Sequence, residues 1–146
     1  MAKAVAVILC LAVLAGCGST APPQFQAGYA AARRPLNQIL SDVNGALKGV
    51  RGRSTVRVAG TVGALAGRFR KALAPLEALK PPARIATAFT TLTSSLRRVE
   101  NDLREISIAA RRRNLVGASL AVESLSSDAR AASQAAAVIK QKLYAR

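Results

Sequence analysis

Histidine and tryptophan are absent from this chain, and aromatic residues make up only 3% of it. Without histidine there is no Ser-His or Cys-His nucleophile pair, no His-containing metal motif and no Glu-x-x-His di-iron signature. Both cysteines, Cys10 and Cys17, lie near the start, so the rest of the chain is held by packing without a disulfide. Acids are scarce as well: seven Asp and Glu face 22 Lys and Arg, for a net charge of +15. Those seven are Asp42, Glu77, Glu100, Asp102, Glu105, Glu123 and Asp128. Asp102 with Glu105 is the one pair to weigh as a carboxylate site, and ion pairing with nearby arginines is the plainer reading. The glycines match no phosphate-binding loop. The sequence therefore leads to no catalytic residue, no metal site, no cofactor and no enzyme.

The chain also lacks an apolar run of the roughly 20 residues that span a bilayer. It has a shorter one. Lys3 precedes an apolar stretch from Ala4 to Ala15, followed by Gly16, Cys17 and a polar segment containing Pro22-Pro23. A positive start, an apolar run of this length and small residues at its end make a signal peptide. Ala2 follows the start methionine where myristoylation requires glycine. The residues Leu14-Ala15-Gly16-Cys17 resemble the lipobox of bacterial lipoproteins. That resemblance implies cleavage between Gly16 and Cys17, attachment of a palmitate-class diacylglycerol to the Cys17 thiol, and residence on the outer face of a cell membrane. A secretory signal with a chance cysteine is the alternative. Residues 1–16 are thus expected to be a lipoprotein signal peptide, 17–24 the acylated cysteine and a short tether, and 25–146 the folded domain.

From Phe25 on, apolar residues recur at alternating steps of four and three, the seam of an amphipathic helix. The first seam is Phe25, Tyr29, Ala32, Leu36, Ile39, Val43, Leu47 and Val50. Pro35 lies inside it and either kinks the helix or marks its start. The second seam is Val58, Val62, Leu65, Phe69, Ala72, Leu76 and Leu79, with Ser54 or Thr55 as N-cap and Pro81-Pro82 as terminator. Gly60, Gly63 and Gly67 each weaken it by roughly 1 kcal/mol relative to alanine and allow a neighbouring helix close. The third seam is Ile85, Phe89, Leu92, Leu96, Val99, Leu103, Ile106 and Ala110. On it, Arg98 with Asp102 and Glu100 with Arg104 are spaced to pair across one turn. The fourth, capped by Asn114, is Ala118, Val122, Leu125, Ala129, Ala132, Ala136, Ile139 and Leu143. No alternating run reads as a strand. The expected fold is all-α, an antiparallel up-down-up-down four-helix bundle following the lipoprotein signal peptide.

In such a bundle the end of helix one, the start of helix two, the end of helix three and the start of helix four share the end far from the membrane. Lys48, Arg51, Arg53, Arg57, Arg111, Arg112 and Arg113 then gather there as an electrostatic site for an anionic partner, either a cell-wall polymer or an acidic protein face. A solvated surface is the plain alternative, because cations favour helix C-termini and keep a bundle soluble. A second basic set, Lys80, Arg84, Lys140, Lys142 and Arg146, falls at the membrane end, where anionic headgroups would attract it. No specific nucleic-acid partner is expected, since the chain is exported and carries no recognition module. A carrier of a small apolar ligand between the helices is the runner-up, with Pro35, Pro75 and the helix-two glycines as openings. The alanine seam of helix four argues for tight packing instead.

The lipobox, the stretch Leu76-Glu77-Ala78-Leu79-Lys80-Pro81-Pro82 and the long helix after it resemble small alanine-rich helical lipoproteins of high-GC Gram-positive bacteria. This resemblance implies location and fold but no activity.

Overall fold

The structure is a computed structural model, and it describes residues 23–48 and 54–144. Expectations that fall on residues 1–22, 49–53 and 145–146 lie outside the described residues; these include Lys3, the lipobox with Cys17, and Val50.

Four helices form an antiparallel up-down-up-down bundle: α1 (Pro23–Lys48), α2 (Thr55–Glu77), α3 (Ala86–Arg111) and α4 (Leu115–Tyr144). A 3₁₀ turn, Ala83–Ile85, leads into α3. There is no strand among the described residues. Each helix packs on the next in sequence, and the α3–α4 interface is the most extensive. The antiparallel register shows in the contacts between neighbours. A Cβ on Gly28, near the start of α1, would stand 3.0 Å from Leu79, just past α2. Ser107 near the end of α3 meets the carbonyl of Ala59 near the start of α2. Lys142 near the end of α4 donates to the Arg84 carbonyl in the 3₁₀ turn.

The seams explain the packing. Phe25, Tyr29, Ala32, Leu36, Ile39 and Val43 are all buried along α1. All eight α3 seam residues are buried too. Phe25 stacks on Tyr29 at 5.9 Å between ring centroids, and Phe89 meets Phe25 edge-on at the same separation. This aromatic cluster closes the end of the bundle where the domain begins.

Several local expectations are corrected. α1 begins at Pro23 and runs through Pro35, so Pro35 does not mark its start and the first two residues of helix fall within the expected tether. Proline suits a first turn because its missing N–H would have no partner there. α2 ends at Glu77, ahead of Pro81-Pro82, while Ser54, one of the two expected caps, is its N-cap, accepting from the Arg57 amide. Its buried face holds Leu73 where the seam places Ala72. α2 is covered on two sides, by α1 and α3, so its apolar face is wider than a single stripe. Of its three glycines only Gly63 sits under a neighbour: a Cβ there would stand 2.9 Å from the Ser107 hydroxyl, whereas Gly60 and Gly67 face open space.

The expected Arg98–Asp102 pair does not form. Arg98 reaches across to α4 and donates to Asp128 (2.7 Å) and to the buried Ser95 hydroxyl (3.0 Å). Glu100 and Arg104 do pair, at 3.5 Å. Asn114 caps α4 as expected, its side-chain oxygen accepting from the Gly117 amide at 2.9 Å.

Candidate functional site

The end of the bundle formed by the α1 terminus, the α2 start and the α3–α4 connection carries the basic residues singled out from the sequence. Lys48, Arg57, Arg111, Arg112 and Arg113 are all exposed there. Arg51 and Arg53 lie outside the described residues. Charge at this end is of one sign because no carboxylate occurs among residues 43–76 or 106–122. Among the described residues none of the five makes an ion pair. The Arg111 guanidinium lies over α2, 3.8 Å from where a Cβ on Gly63 would stand.

The α3–α4 connection owes its shape to a helix-stop motif. The Asn114 amide donates to the Ala109 carbonyl (2.9 Å) and the Arg113 amide to that of Ala110 (3.2 Å), the paired bonds of a Schellman cap. Such a cap places its penultimate residue in the left-handed region, and Arg113 has φ 55°. Glycine is the usual occupant, because a Cβ costs roughly 1–2 kcal/mol in that conformation.

Beside this turn the helices do not close. A groove of about 690 Å³ opens between α4 and the ends of the other three helices, lined by Leu47, Val58, Ile106, Ala110 and Val122, with Arg113 in its wall. Its α4 rim continues into apolar side chains that nothing covers among the described residues. Leu115, Val116 and Leu120 are 76%, 72% and 61% exposed. Sequence reasoning missed them because they lie off the α4 seam. The available signal was three large apolar residues outside a seam made mostly of alanine.

A second opening runs along the middle of the bundle. α1 and α4 do not pack closely on each other. Between them lies a groove of about 330 Å³ whose floor is Leu36, Leu76, Leu92 and Leu96, with Ala132 and Ala136 on the α4 wall. Arg33 and Lys140 stand on its rim. The tight packing expected from the alanine seam is found against α3 but not against α1.

Further along the helices carboxylates pair with arginines. Asp42 pairs with Arg68 at 3.1 Å, Glu77 with Arg97, and Asp128 with Arg98. The hydrogen bond that Arg97 donates to Glu77 holds its guanidinium pKa above the ordinary arginine value. Asp102 and Glu105 are not brought together as a site: Asp102 is half-buried towards α4 and Glu105 is exposed. Burial raises the Asp102 carboxyl above the usual carboxylate range; the nearby Asp128 adds to this, and Ser124 and Arg98 oppose it. Lys80, Arg84, Lys140 and Lys142 lie towards the opposite end from the Schellman turn, and Arg146 is outside the described residues.

Among the described residues no group of three or more histidines, cysteines or acids could hold a metal ion. No helix among them is long and apolar enough to cross a membrane. In comparisons with known proteins, no family model, curated protein or solved structure matches the chain.

Proposed function

We propose that this protein is an extracytoplasmic lipoprotein, held by a lipid on Cys17 at the outer face of the cell membrane, and that it acts as a non-catalytic binding module. Its partner is anionic, either a cell-wall polymer or the acidic face of another envelope protein, and it binds at the distal basic end. One observation supports this above the others: five exposed cations share that end with no carboxylate to neutralise them. Charges so placed keep their field for a partner instead of spending it on internal pairs. α3 is 26 residues long, about 39 Å at 1.5 Å per residue, so the helices hold the basic end well away from a membrane beside the Pro23 end. Lys80, Lys140 and Lys142, exposed at the near end, suit anionic headgroups and would add to a single lipid anchor, which holds weakly by itself, whereas two of the Arg84 guanidinium nitrogens are buried.

The test is co-sedimentation with purified cell wall and with anionic liposomes at low and physiological salt. A triple variant, Arg111→Glu, Arg112→Glu and Arg113→Glu, runs alongside. Wall binding that survives physiological salt and disappears in the variant supports the reading. Equal loss of both proteins at modest salt makes the charge generic surface and overturns it. Anchoring has its own test: Cys17→Ser should release the protein to the medium, and a variant that stays membrane-bound overturns the lipid anchor.

The groove between α1 and α4 favours a second reading, a carrier of a small apolar ligand. Its volume of about 330 Å³ is at the lower limit of ordinary ligand sites.

A further inference from the structure

The distal end is apolar as well as basic, and its two properties meet at one residue. Arg113 sits in the wall of the 690 Å³ groove. It does so from a left-handed backbone conformation that glycine would adopt without strain. A non-glycine residue held in a sparsely populated backbone region is a pointer to function. Here such a residue, an arginine, borders a concave surface of leucine, isoleucine, valine and alanine side chains. That surface opens to the side through exposed Leu115. Arg111 and Arg112, which precede Arg113 in the chain, are exposed, and the nearest carboxylates along α3 and α4, Glu105 and Glu123, are exposed further down the helices.

We propose that this groove binds a single-chain anionic amphiphile, the acyl chain lying in the groove and the carboxylate or phosphate paired with Arg113. The inference rests on the reading of the distal end as an anion-binding site and names the class of ligand. Charge complementarity selects an anionic headgroup over a zwitterionic or neutral one. Concavity selects one extracted chain over the flat surface of a bilayer. A groove of this volume falls within the range of sites that enclose most of a small ligand. Guanidinium is suited to either headgroup because its planar fork donates two parallel hydrogen bonds.

The experiment measures displacement of the fluorescent fatty acid parinaric acid from the full chain by decanoate and by decanol, all below their micelle concentrations. Two variants accompany the wild type. Arg113→Gly removes the cation while fitting the backbone. Ser119→Trp fills the groove from an exposed lining position. Arg113→Gly should weaken decanoate by at least about tenfold and leave decanol unchanged. Ser119→Trp should weaken both. Absence of fatty-acid binding by the wild type, or equal binding by the wild type and both variants, overturns the proposal. Binding to phosphatidylglycerol vesicles without binding to the monomeric acid also overturns it, in favour of bilayer docking. Co-sedimentation with acyl-free wall polymer, run in parallel, separates the two levels. If wall binding persists while the fatty acid fails, the groove ligand is lost and the anion-binding end stands. If both fail, both readings fall.

Discussion

The middle of the bundle and its distal end are made from the same four helices, yet they treat charge and apolar surface in opposite ways. In the middle, Asp42, Glu100 and Asp128 each pair with an arginine, and Ser95 and Ser107 are buried with their hydroxyls bonded. Leucines and valines from all four helices fill the core between them. At the distal end no carboxylate is within pairing distance of Lys48, Arg57 or Arg111–Arg113 among the described residues, and Leu115, Val116 and Leu120 face outward. A bundle that needed only stability and solubility would distribute both kinds of residue more evenly. What sets the distal end apart is that exposed cations and exposed large apolar side chains occur there together, and exposed apolar patches rimmed by polar residues mark recognition surfaces.

Core truncation should expose this contrast most strongly. Phe69 on α2 is fully buried in the core, so Phe69→Ala should cost about 3–5 kcal/mol in denaturant unfolding. Leu120→Ala, at 61% exposure, should stay within about 0.5 kcal/mol. Comparable losses at the two positions would mean that something covers the distal patch and that the contrast is false.

The α2 glycines sharpen the same comparison at smaller scale. Gly63→Ala forces a Cβ against Ser107, whose hydroxyl donates to the Ala59 carbonyl at 2.8 Å, and should destabilise by about 1–3 kcal/mol. Gly60→Ala and Gly67→Ala enter open space and should each stabilise by roughly 0.5–1 kcal/mol. Stabilisation by all three would remove the close approach of α3 from the account of the fold.

At the Schellman turn, Arg113→Gly should raise stability by up to about 1 kcal/mol, strain relief outweighing the extra freedom of glycine in the unfolded chain. A melting temperature that falls instead would show that Arg113 is held by contacts strong enough to repay its conformation.

The smallest effect concerns Asp102. Its folded carboxyl titrates above the unfolded value, chiefly through burial. The folded state therefore prefers the protonated form: the stability this contributes is present below the unfolded value and lost as pH rises through the folded one. Asp102→Asn should accordingly gain on the wild type at neutral pH and lose that advantage towards acid pH. A gain independent of pH would assign it to hydrogen bonding and not to charge.

Legibility followed how local each feature was. The α1 and α3 seams could be read directly, since the four-three spacing marks the large apolar residues that reach the core, although α3, packed on both α2 and α4, buries Ser95, Ser107 and Ala109 beside its seam. α2 and α4 were harder. α2 is covered on two sides, which brings Ala59, Ala66 and Leu73 under cover beside the expected seam. On α4, Ala121 and Ala135 are buried, though the seam omits them, because small side chains alter the hydropathy pattern little. The buried serines were missed because their polarity hides a position that only a partner across the interface can satisfy. The basic end was legible from the up-down order of helices, since alternation alone brings residues near 48, 57 and 111 to one end. The groove was not, because its walls come from side chains far apart in the chain.

The sequence by itself determined four amphipathic helices, their limits to within a few residues, their alternation and the gathering of basic residues at the bundle's ends. These follow from period, caps and connection lengths, which act over a few residues at a time. Only the tertiary structure decided that α4 closes on α3 and stands off from α1, that Arg98 pairs with Asp128 instead of Asp102, and that Arg113 borders an apolar groove. Each depends on the distance and rotation between helices, set by how side chains from all of them fit together, and no local pattern encodes that.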